Sequence, residues 1–163
     1  MTLSDERWVD VNDEQSNEHL VKKYLMQCLP PDTSFIGLKT RHPTPFDAID
    51  ELHQRLDRLP KPLSLAVLGL GTDGHVASLF PGMNFTRPST HHCIAVAPPI
   101  APSLRISLAL EFLARSERIL LVVMDEAKRK LLDQLSEEPD SELPIARLLR
   151  QTKSPITTFE TNM

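Results

Sequence analysis

An aspartate and a histidine stand among glycines directly after an apolar run of the sequence. Residues 63–82 read LSLAVLGLGTDGHVASLFPG, with Asp73 and His75 beside Gly71 and Gly74. An imidazole can exchange a proton near neutral pH, and a carboxylate behind it can orient the ring. His75 is therefore a candidate for proton-transfer chemistry in an active-site loop. Asp73 is either its orienting group or a loop-capping aspartate, since Asp-Gly is also common in turns.

The apolar run predicts the strand that presents this loop. Residues 63–68 follow Pro60-Lys61-Pro62 and are almost continuously apolar, as expected of a strand that is buried on both faces of a parallel sheet and ends near Gly69. Residues 119–124, ILLVVM, form a second such run. Open parallel sheets place their sites just past the carboxyl ends of the strands. We therefore expect an α/β fold with an active-site loop after the first run.

Apolar spacing predicts the other elements. Ser16 or Asn17 caps a packing helix whose apolar side chains are Leu20, Val21, Tyr24, Leu25 and Cys28. A second packing helix has an apolar stripe of Ala48, Ile49, Leu52, Leu56 and Leu59. Further expected elements are strands at 93–97, 105–110 and 155–159, helices at 111–116 and 144–150, a helix that begins near 125, and a proline-rich loop at 98–102. The first strand-like residues, Thr2-Leu3-Ser4, run into a charged cluster.

The glycine pattern also fits a dinucleotide-binding fingerprint, Gly69-x-Gly71-x-x-Gly74. That site needs a helix of several turns after the glycines and an acidic residue roughly 20 positions further on. Pro81 ends any helix that starts near His75, and no acidic residue occurs between Asp73 and Glu111. The sequence therefore disfavours a nucleotide site.

Composition limits the remaining functions. A chain of 163 residues with 40% hydrophobic residues predicts one domain over residues 1–163. A net charge of -4 without a long basic run disfavours nucleic acid and anionic lipid as partners, and favours a small ligand. Cys28 and Cys93 are expected to be buried, reduced thiols of a cytoplasmic protein. No signal peptide or membrane span is visible.

Four landmarks in this order resemble a known family: Asp5-Glu6-Arg7-Trp8-Val9 with Ser16-Asn17, then GLGTDGHVASLFPG, then Arg105-Ile-Ser-Leu, then Lys128 after a strand. They are similar to the 6-phosphogluconolactonases of the glucosamine-6-phosphate isomerase/6-phosphogluconolactonase superfamily. The resemblance implies a Rossmann-like open, mostly parallel sheet with helices on both faces, of the NagB/RpiA-like type. It also implies hydrolysis of 6-phospho-D-glucono-1,5-lactone to 6-phosphogluconate in the oxidative pentose phosphate pathway.

The resemblance implies a site as well. Its catalytic residues would be His75, as the general base that takes a proton from water attacking the lactone carbonyl, and Asp73. Its substrate- or phosphate-binding residues would be Arg7, Gly71, Arg105 and Lys128. Lys128 stands in the first turn of a predicted helix, where free N–H groups favour an anion. The family usually has glycine three residues before this lysine, whereas this chain has Asp125.

No metal and no cofactor are expected. A metal at Asp73 and His75, together with His91 or His92, has no further ligand at a recognisable spacing. Hydrolysis of an activated ester also needs no metal. The expected partner is a phosphorylated sugar lactone.

Two other functions stay open. The amino-sugar branch of the superfamily, which opens and isomerises glucosamine-6-phosphate, has a loop resembling Asp-Gly-His-Ile-Ala-Phe-Asn-Glu-Pro. This chain has Ser78-Leu79-Phe80-Pro81 at the end of that motif and lacks the glutamate. A non-catalytic sugar-phosphate-binding module is the second alternative. Ser78 is not a candidate nucleophile, since it lies outside any G-x-S-x-G elbow.

Family members begin with a strand and a Ser-Gly-Gly-Ser-Thr-Pro-like phosphate loop, and neither is present in these 163 residues. We expect the chain to be N-terminally truncated relative to the family, with an exposed sheet edge that favours self-association. We also expect it to be a poor catalyst or an inactive one, because phosphate binding helps to orient the reacting carbonyl. The complete protein is expected to be a monomer.

Overall fold

The computed structural model describes residues 1–84, 91–99, 103–138 and 140–160, which fold into two compact units. The first unit contains β1 (Asp5–Arg7), α1 (Asn17–Tyr24), α2 (Ile49–Leu56), β3 (Cys93–Val96) and β4 (Arg105–Leu108). The second unit contains β2 (Ala66–Gly69), α3 (Leu110–Ala114), β5 (Ile119–Val123), α4 (Glu126–Glu137), α5 (Pro144–Gln151) and β6 (Ile156–Glu160). Short 3-10 helices cover Met26–Cys28 and Phe46–Ala48.

The second unit holds a parallel sheet with strand order β2-β5-β6. Gly69 is in register with Val122, so β2 and β5 end at the same edge. Parallel neighbours need long crossover connections, and helices lie in sequence between β2 and β5 and between β5 and β6. The expected α/β fold with a parallel sheet is confirmed.

The prediction that the two apolar runs are buried on both faces is wrong. Burial alternates along β2 and β5: Ala66 and Leu68 are buried, whereas Val67 is 53% exposed. Phe159 of β6 is also 53% exposed. One face of this sheet is therefore packed, and the other is open among the described residues. An apolar run shows that both faces of a strand carry apolar side chains. Whether each face is buried depends on other segments of the chain, which the run does not reveal.

The first unit holds an antiparallel sheet with strand order β1-β4-β3. The sequence predicted β3 and β4 as strands but not their antiparallel pairing. Their connection, between Val96 and Arg105, is shorter than the dozen or so residues of a parallel crossover. β1 is the charged segment Asp5–Arg7 itself, not the Thr2-Leu3-Ser4 stretch before it. Of the proline-rich loop, residues 100–102 lie outside the described residues.

Of the two predicted caps of α1, Ser16 is the one that forms, because its side chain accepts a hydrogen bond from the His19 N–H at 3.1 Å. The predicted role of α1 as a packing helix is wrong. Leu20 is 54% and Tyr24 63% exposed, and the buried residue of the helix is Glu18. This helix is held at its N-terminus rather than along an apolar face. Cys28, just beyond it, is exposed and not buried as predicted.

The predictions for the second packing helix and for Cys93 are confirmed. Leu52 and Leu56 of α2 are fully buried, as is Ala48 before it. Cys93 is buried, and burial raises the pKa of its thiol to about 12. No helix in the described part of the chain combines the length and the hydropathy that a membrane crossing needs.

Candidate active site

The loop that follows β2 is a tight turn closed by its own backbone. The Gly71 N–H donates to the carbonyl of His75 at 2.9 Å, and the Gly74 N–H donates to the carbonyl of Gly71 at 3.0 Å. Val76 and Leu79, immediately after the turn, are completely buried and anchor it to the core. These residues form turns rather than a helix, so the geometry lacks the helix that a dinucleotide fingerprint requires.

The start of α5 supports this turn from outside. The Ile145 N–H donates to the carbonyl of Gly74 at 3.1 Å. Gly74 has a φ of +85°, and a Cβ at that position would lie 3.0 Å from the Leu143 side chain. Glycine is therefore required here both for the backbone conformation and for the contact with α5.

The turn brings the His75 ring and the Asp73 carboxylate together. Nδ1 of His75 lies 2.6 Å from Oδ1 of Asp73, and the His75 backbone N–H donates to the same oxygen at 3.2 Å. An ionised carboxylate has no proton to give, so the imidazole donates from Nδ1 and keeps a lone pair on Nε2. The His75 side chain is 34% exposed, so this lone pair can be reached by water.

The charge state of Asp73 fits this arrangement. Burial acts to raise the pKa of Asp73, but the hydrogen bonds from the backbone and ring of His75 outweigh burial and hold the pKa below its usual value. Asp73 is therefore ionised near neutral pH. An ionised carboxylate at Nδ1 also stabilises the imidazolium that forms when Nε2 takes a proton.

Gly71 makes room for the pair. A Cβ at Gly71 would lie 2.1 Å from Nδ1 of His75 and 2.7 Å from Oδ1 of Asp73. Both side chains thus lie directly over this residue. On the other side, the ring of Phe80 lies 4.9 Å from the His75 ring, centroid to centroid. The sequence singled out Gly71 as a substrate-binding residue, and the structure places it beneath the His75–Asp73 pair.

Lys128 lies at the same edge of the parallel sheet as the turn, because α4 follows the carboxyl end of β5. Asp125 caps α4: its Oδ1 accepts from the Lys128 N–H at 3.0 Å, and its Oδ2 lies 3.0 Å from Nζ of Lys128. The hydrogen bonds from Lys128, led by that of its backbone, lower the pKa of Asp125. The cation and the helix N-terminus are therefore already paired with a carboxylate of this chain.

Arg7 and Arg105 face each other across β1 and β4 in the first unit. Nη1 of Arg105 is 4.0 Å from Oδ2 of Asp5, and Nη1 of Arg7 donates to the side-chain oxygen of Asn17 at 2.5 Å. Burial lowers the pKa of Arg105, and the charge of Arg7 lowers it further while Asp5 opposes the shift. Two cationic side chains in one cross-strand pair are suited to an anionic ligand.

Comparison with known proteins gives the family. Residues 1–157 match the family model described as glucosamine-6-phosphate isomerases/6-phosphogluconolactonase. The chain belongs to this family. The 6-phosphogluconolactonase of Pseudomonas aeruginosa is 32% identical over 156 residues, which cover 92% of this chain and 66% of that protein. That of Caulobacter vibrioides is 35% identical over 168 residues, which cover 96% of this chain and 68% of that protein.

A solved structure agrees with these relatives. The crystal structure of a 6-phosphogluconolactonase from Shewanella baltica superposes with a TM-score of 0.88 at 32% identity, covering 98% of this chain and 70% of that one. The resemblance drawn from the four sequence landmarks is thereby confirmed. This family member spans about two thirds of the length of the relatives it matches.

The sequence did not single out one buried residue that joins two elements of this chain. Glu6 is completely buried, yet its carboxylate accepts four hydrogen bonds. The donors are the backbone N–H groups of Arg7, Asn17 and Glu18 and the hydroxyl of Ser16, at 2.7 to 2.9 Å. Glu6 therefore ties β1 to the start of α1. The available signal was the Ser-Asn-Glu helix start, whose unsatisfied N–H groups favour a carboxylate acceptor.

Proposed function

We propose that the protein hydrolyses 6-phospho-D-glucono-1,5-lactone to 6-phosphogluconate, with His75 as the general base. The observation that supports this most directly is the 2.6 Å contact between Nδ1 of His75 and Asp73, which leaves Nε2 able to accept a proton. The relatives and the solved structure with which the chain agrees are 6-phosphogluconolactonases. The reaction belongs to the oxidative pentose phosphate pathway, and we place the protein in the cytoplasm accordingly.

In the proposed reaction, Nε2 of His75 takes a proton from water as the water oxygen attacks the lactone carbonyl carbon. The tetrahedral intermediate then collapses, and the bond between the carbonyl carbon and the ring oxygen breaks. The ring oxygen receives the proton from Nε2 and leaves as a hydroxyl. One water is consumed, the imidazole is regenerated, and Asp73 remains ionised throughout.

Cationic side chains would bind the phosphorylated end of the substrate. Lys128 lies at the sheet edge that carries the His75 turn, and we propose that it contacts the phosphate. Arg105 and Arg7 form a cross-strand pair of cations in the first unit, and we propose that they also contribute to anion binding. Binding energy from the phosphate, which is remote from the carbonyl, can be used to orient the reacting group.

The amino-sugar alternative is disfavoured by the turn itself. Ser78 and Leu79 are completely buried, and Phe80 lies against the His75 ring. The segment therefore offers no carboxylate at the place where the amino-sugar motif has its glutamate. The non-catalytic alternative differs from the proposal in turnover alone, which makes turnover the decisive measurement.

The test measures lactone hydrolysis after subtraction of the spontaneous rate, in a form of the protein whose own turnover is well above that rate. His75→Ala should lower the rate about 10²- to 10⁴-fold, as loss of a positioned general base usually does. His19→Ala, outside the turn, is the matched control and should leave the rate unchanged. Near-parental turnover of a folded His75→Ala variant would contradict the proposal.

A second arm separates phosphate binding from chemistry. Arg105→Met and Lys128→Met should weaken the use of phosphorylated lactone more than that of unphosphorylated gluconolactone. Equal losses on both substrates would mean that the two residues act through folding. If the parent protein binds 6-phosphogluconate but shows no turnover, it is the sugar-phosphate-binding module.

A further inference from the structure

A cluster of histidines and aspartates lies between α2 and the start of β3, in the first unit. His53 and Asp57 stand one helical turn apart at the end of α2, and His92 immediately precedes β3. One donor atom of each residue lies within 4.8 Å of those of the other two. The cluster does not involve His75 or Asp73, which belong to the second unit.

The carboxylate of Asp57 links the two imidazoles. Its Oδ1 lies 2.9 Å from Nε2 of His92, and its Oδ2 lies 3.8 Å from Nε2 of His53. The two rings are 4.4 Å apart, centroid to centroid. The two nitrogen–oxygen distances, each to a different oxygen of Asp57, are 2.9 and 3.8 Å. They bracket the distance of about 3.3 Å between neighbouring ligands of a tetrahedral ion with bonds of about 2.0–2.1 Å.

We propose that His53, Asp57 and His92 bind a divalent transition-metal ion, of which zinc is the best match. Two imidazole nitrogens and one carboxylate oxygen are a usual protein ligand set for zinc, and three protein ligands leave a fourth position for water. Side-chain exposures of 27% for His53, 21% for His92 and 51% for Asp57 allow an ion to enter from solvent. The metal would join α2 to β3.

The hydrogen bonding of His53 is compatible with metal binding. Its Nδ1 accepts from the His92 backbone N–H at 3.2 Å, which leaves the ring proton on Nε2. Metal binding at Nε2 of both imidazoles moves their ring protons to Nδ1, which breaks this hydrogen bond and the one between His92 and Asp57. Net contributions of about 1 kcal/mol per hydrogen bond are far smaller than the binding free energy of a zinc ion held by protein ligands, so the exchange is favourable.

Neighbouring groups reinforce the preference for a cation. Nε2 of His91 lies 3.2 Å from Oδ1 of Asp50, and the His91 ring packs edge-on against His53 at 4.9 Å. Asp50 of α2 thus adds a second carboxylate beside the three imidazoles. Sequence reasoning missed this set because His53 and His92 are 39 residues apart and only the contact between α2 and β3 brings them together.

The test measures zinc binding by the full chain in competition with a chromophoric chelator. We expect one zinc per chain, and a loss of affinity of at least about tenfold in His53→Gln, Asp57→Asn and His92→Gln, which each remove one ligand. His42→Gln is the matched control, since this histidine pairs with Glu51 of the same helix and lies outside the cluster. It should bind zinc as the parent does.

Cobalt supplies a readout that a purely structural role would not produce. The Co²⁺-loaded parent should show the visible absorption of a four- or five-coordinate site, and zinc should displace it. This measurement needs only the parent, so it holds even if a variant fails to fold. The proposal would be overturned if the parent did not bind zinc. It would also be overturned if a folded His92→Gln variant bound zinc with the same affinity as the parent.

Discussion

One oxygen atom of Asp73 contacts both the ring and the backbone of His75. Oδ1 of Asp73 accepts from both the ring and the backbone of His75, so the carboxylate sets the ring position and the backbone turn together. The pKa of Asp73 is held below its usual value, and a depressed pKa of this kind stabilises the folded state above the ordinary carboxyl range. That contribution decreases as the pH falls below the ordinary carboxyl value, and it is lost once the pH has fallen through the depressed value.

Gly71 offers a test of this pair that leaves both of its residues in place. Gly71→Ala introduces a Cβ that would meet Nδ1 of His75 at 2.1 Å, so the imidazole and the carboxylate must move. Since a positioning error of about 1 Å can cost roughly 10²-fold, we expect lactone hydrolysis to fall by about that factor.

Gly69→Ala is the matched control, because a Cβ there would meet no atom within 4 Å. It should keep its activity. Steady-state rates and far-UV circular dichroism of both variants check the prediction. A Gly71→Ala enzyme as active as Gly69→Ala would mean that the pair does not need its observed position.

Asp125 offers a second test at the scale of one residue. It pairs with Lys128 and caps α4, so it competes with any phosphate for the same cation and the same N–H groups. We expect Asp125→Asn to bind 6-phosphogluconate roughly two- to fivefold more tightly, because asparagine keeps a capping oxygen and removes the charge.

Glu126→Gln removes the same charge one residue later, where the carboxylate pairs with Lys130. This variant controls for the net charge of the protein. Titration calorimetry with 6-phosphogluconate and with unphosphorylated gluconate compares the two. Equal affinity changes in both variants would show that Asp125 acts only through the overall charge.

At the scale of elements, α1 and β1 depend on a buried carboxylate rather than on apolar packing. The exposed Leu20 and Tyr24 contribute little burial, whereas Glu6 satisfies four donors at the junction of the two elements. A buried charge is stable only when its hydrogen bonds are complete, and these are. The position of Arg7 follows from the same junction, since its backbone N–H is one of the donors.

Glu6→Gln should therefore lower the free energy of unfolding by about 3 kcal/mol, because an amide nitrogen would replace one acceptor oxygen and face N–H donors. Glu14→Gln, at an exposed position shortly before α1, is the control and should change the stability by less than about 0.5 kcal/mol. Urea unfolding followed by circular dichroism measures both. Equal stability of the two variants would contradict the role assigned to Glu6.

At the scale of the whole molecule, the exposed face of the parallel sheet stands out. Val67 and Phe159 lie on exposed positions of β2 and β6, and both are more than half exposed. Exposed apolar side chains on strands favour association with other chains. The sequence led us to expect self-association, and this exposed face is the surface through which we expect it to occur.

The double substitution Val67→Ser and Phe159→Ser should reduce self-association, measured by light scattering over a range of protein concentrations. The parent should show a mass that rises with concentration, because the exposed apolar area is removed from water on association. Gln151→Ser, an exposed polar change at the end of α5, is the control. A parent that stays at the mass of one chain at every concentration would contradict this prediction.

Much of the fold was encoded locally. The apolar runs predicted β2 and β5, the Ser16 cap predicted the start of α1, and the strand-then-glycine pattern predicted the turn that holds Asp73 and His75. These features depend on neighbours within a few residues, which the sequence displays directly. The family, too, followed from short motifs in a fixed order, since each motif keeps its local spacing.

Tertiary structure alone decided which surfaces are covered and which distant residues meet. The exposure of Val67 and of Leu20, the burial of Glu6 and the approach of His53 to His92 all depend on segments far apart in the chain. Local composition sets the preference of each segment for burial. Which segments are available to pack against it depends on the tertiary fold. For that reason the sequence determined the elements and the pairing of Asp73 with His75, whereas folding determined their surroundings.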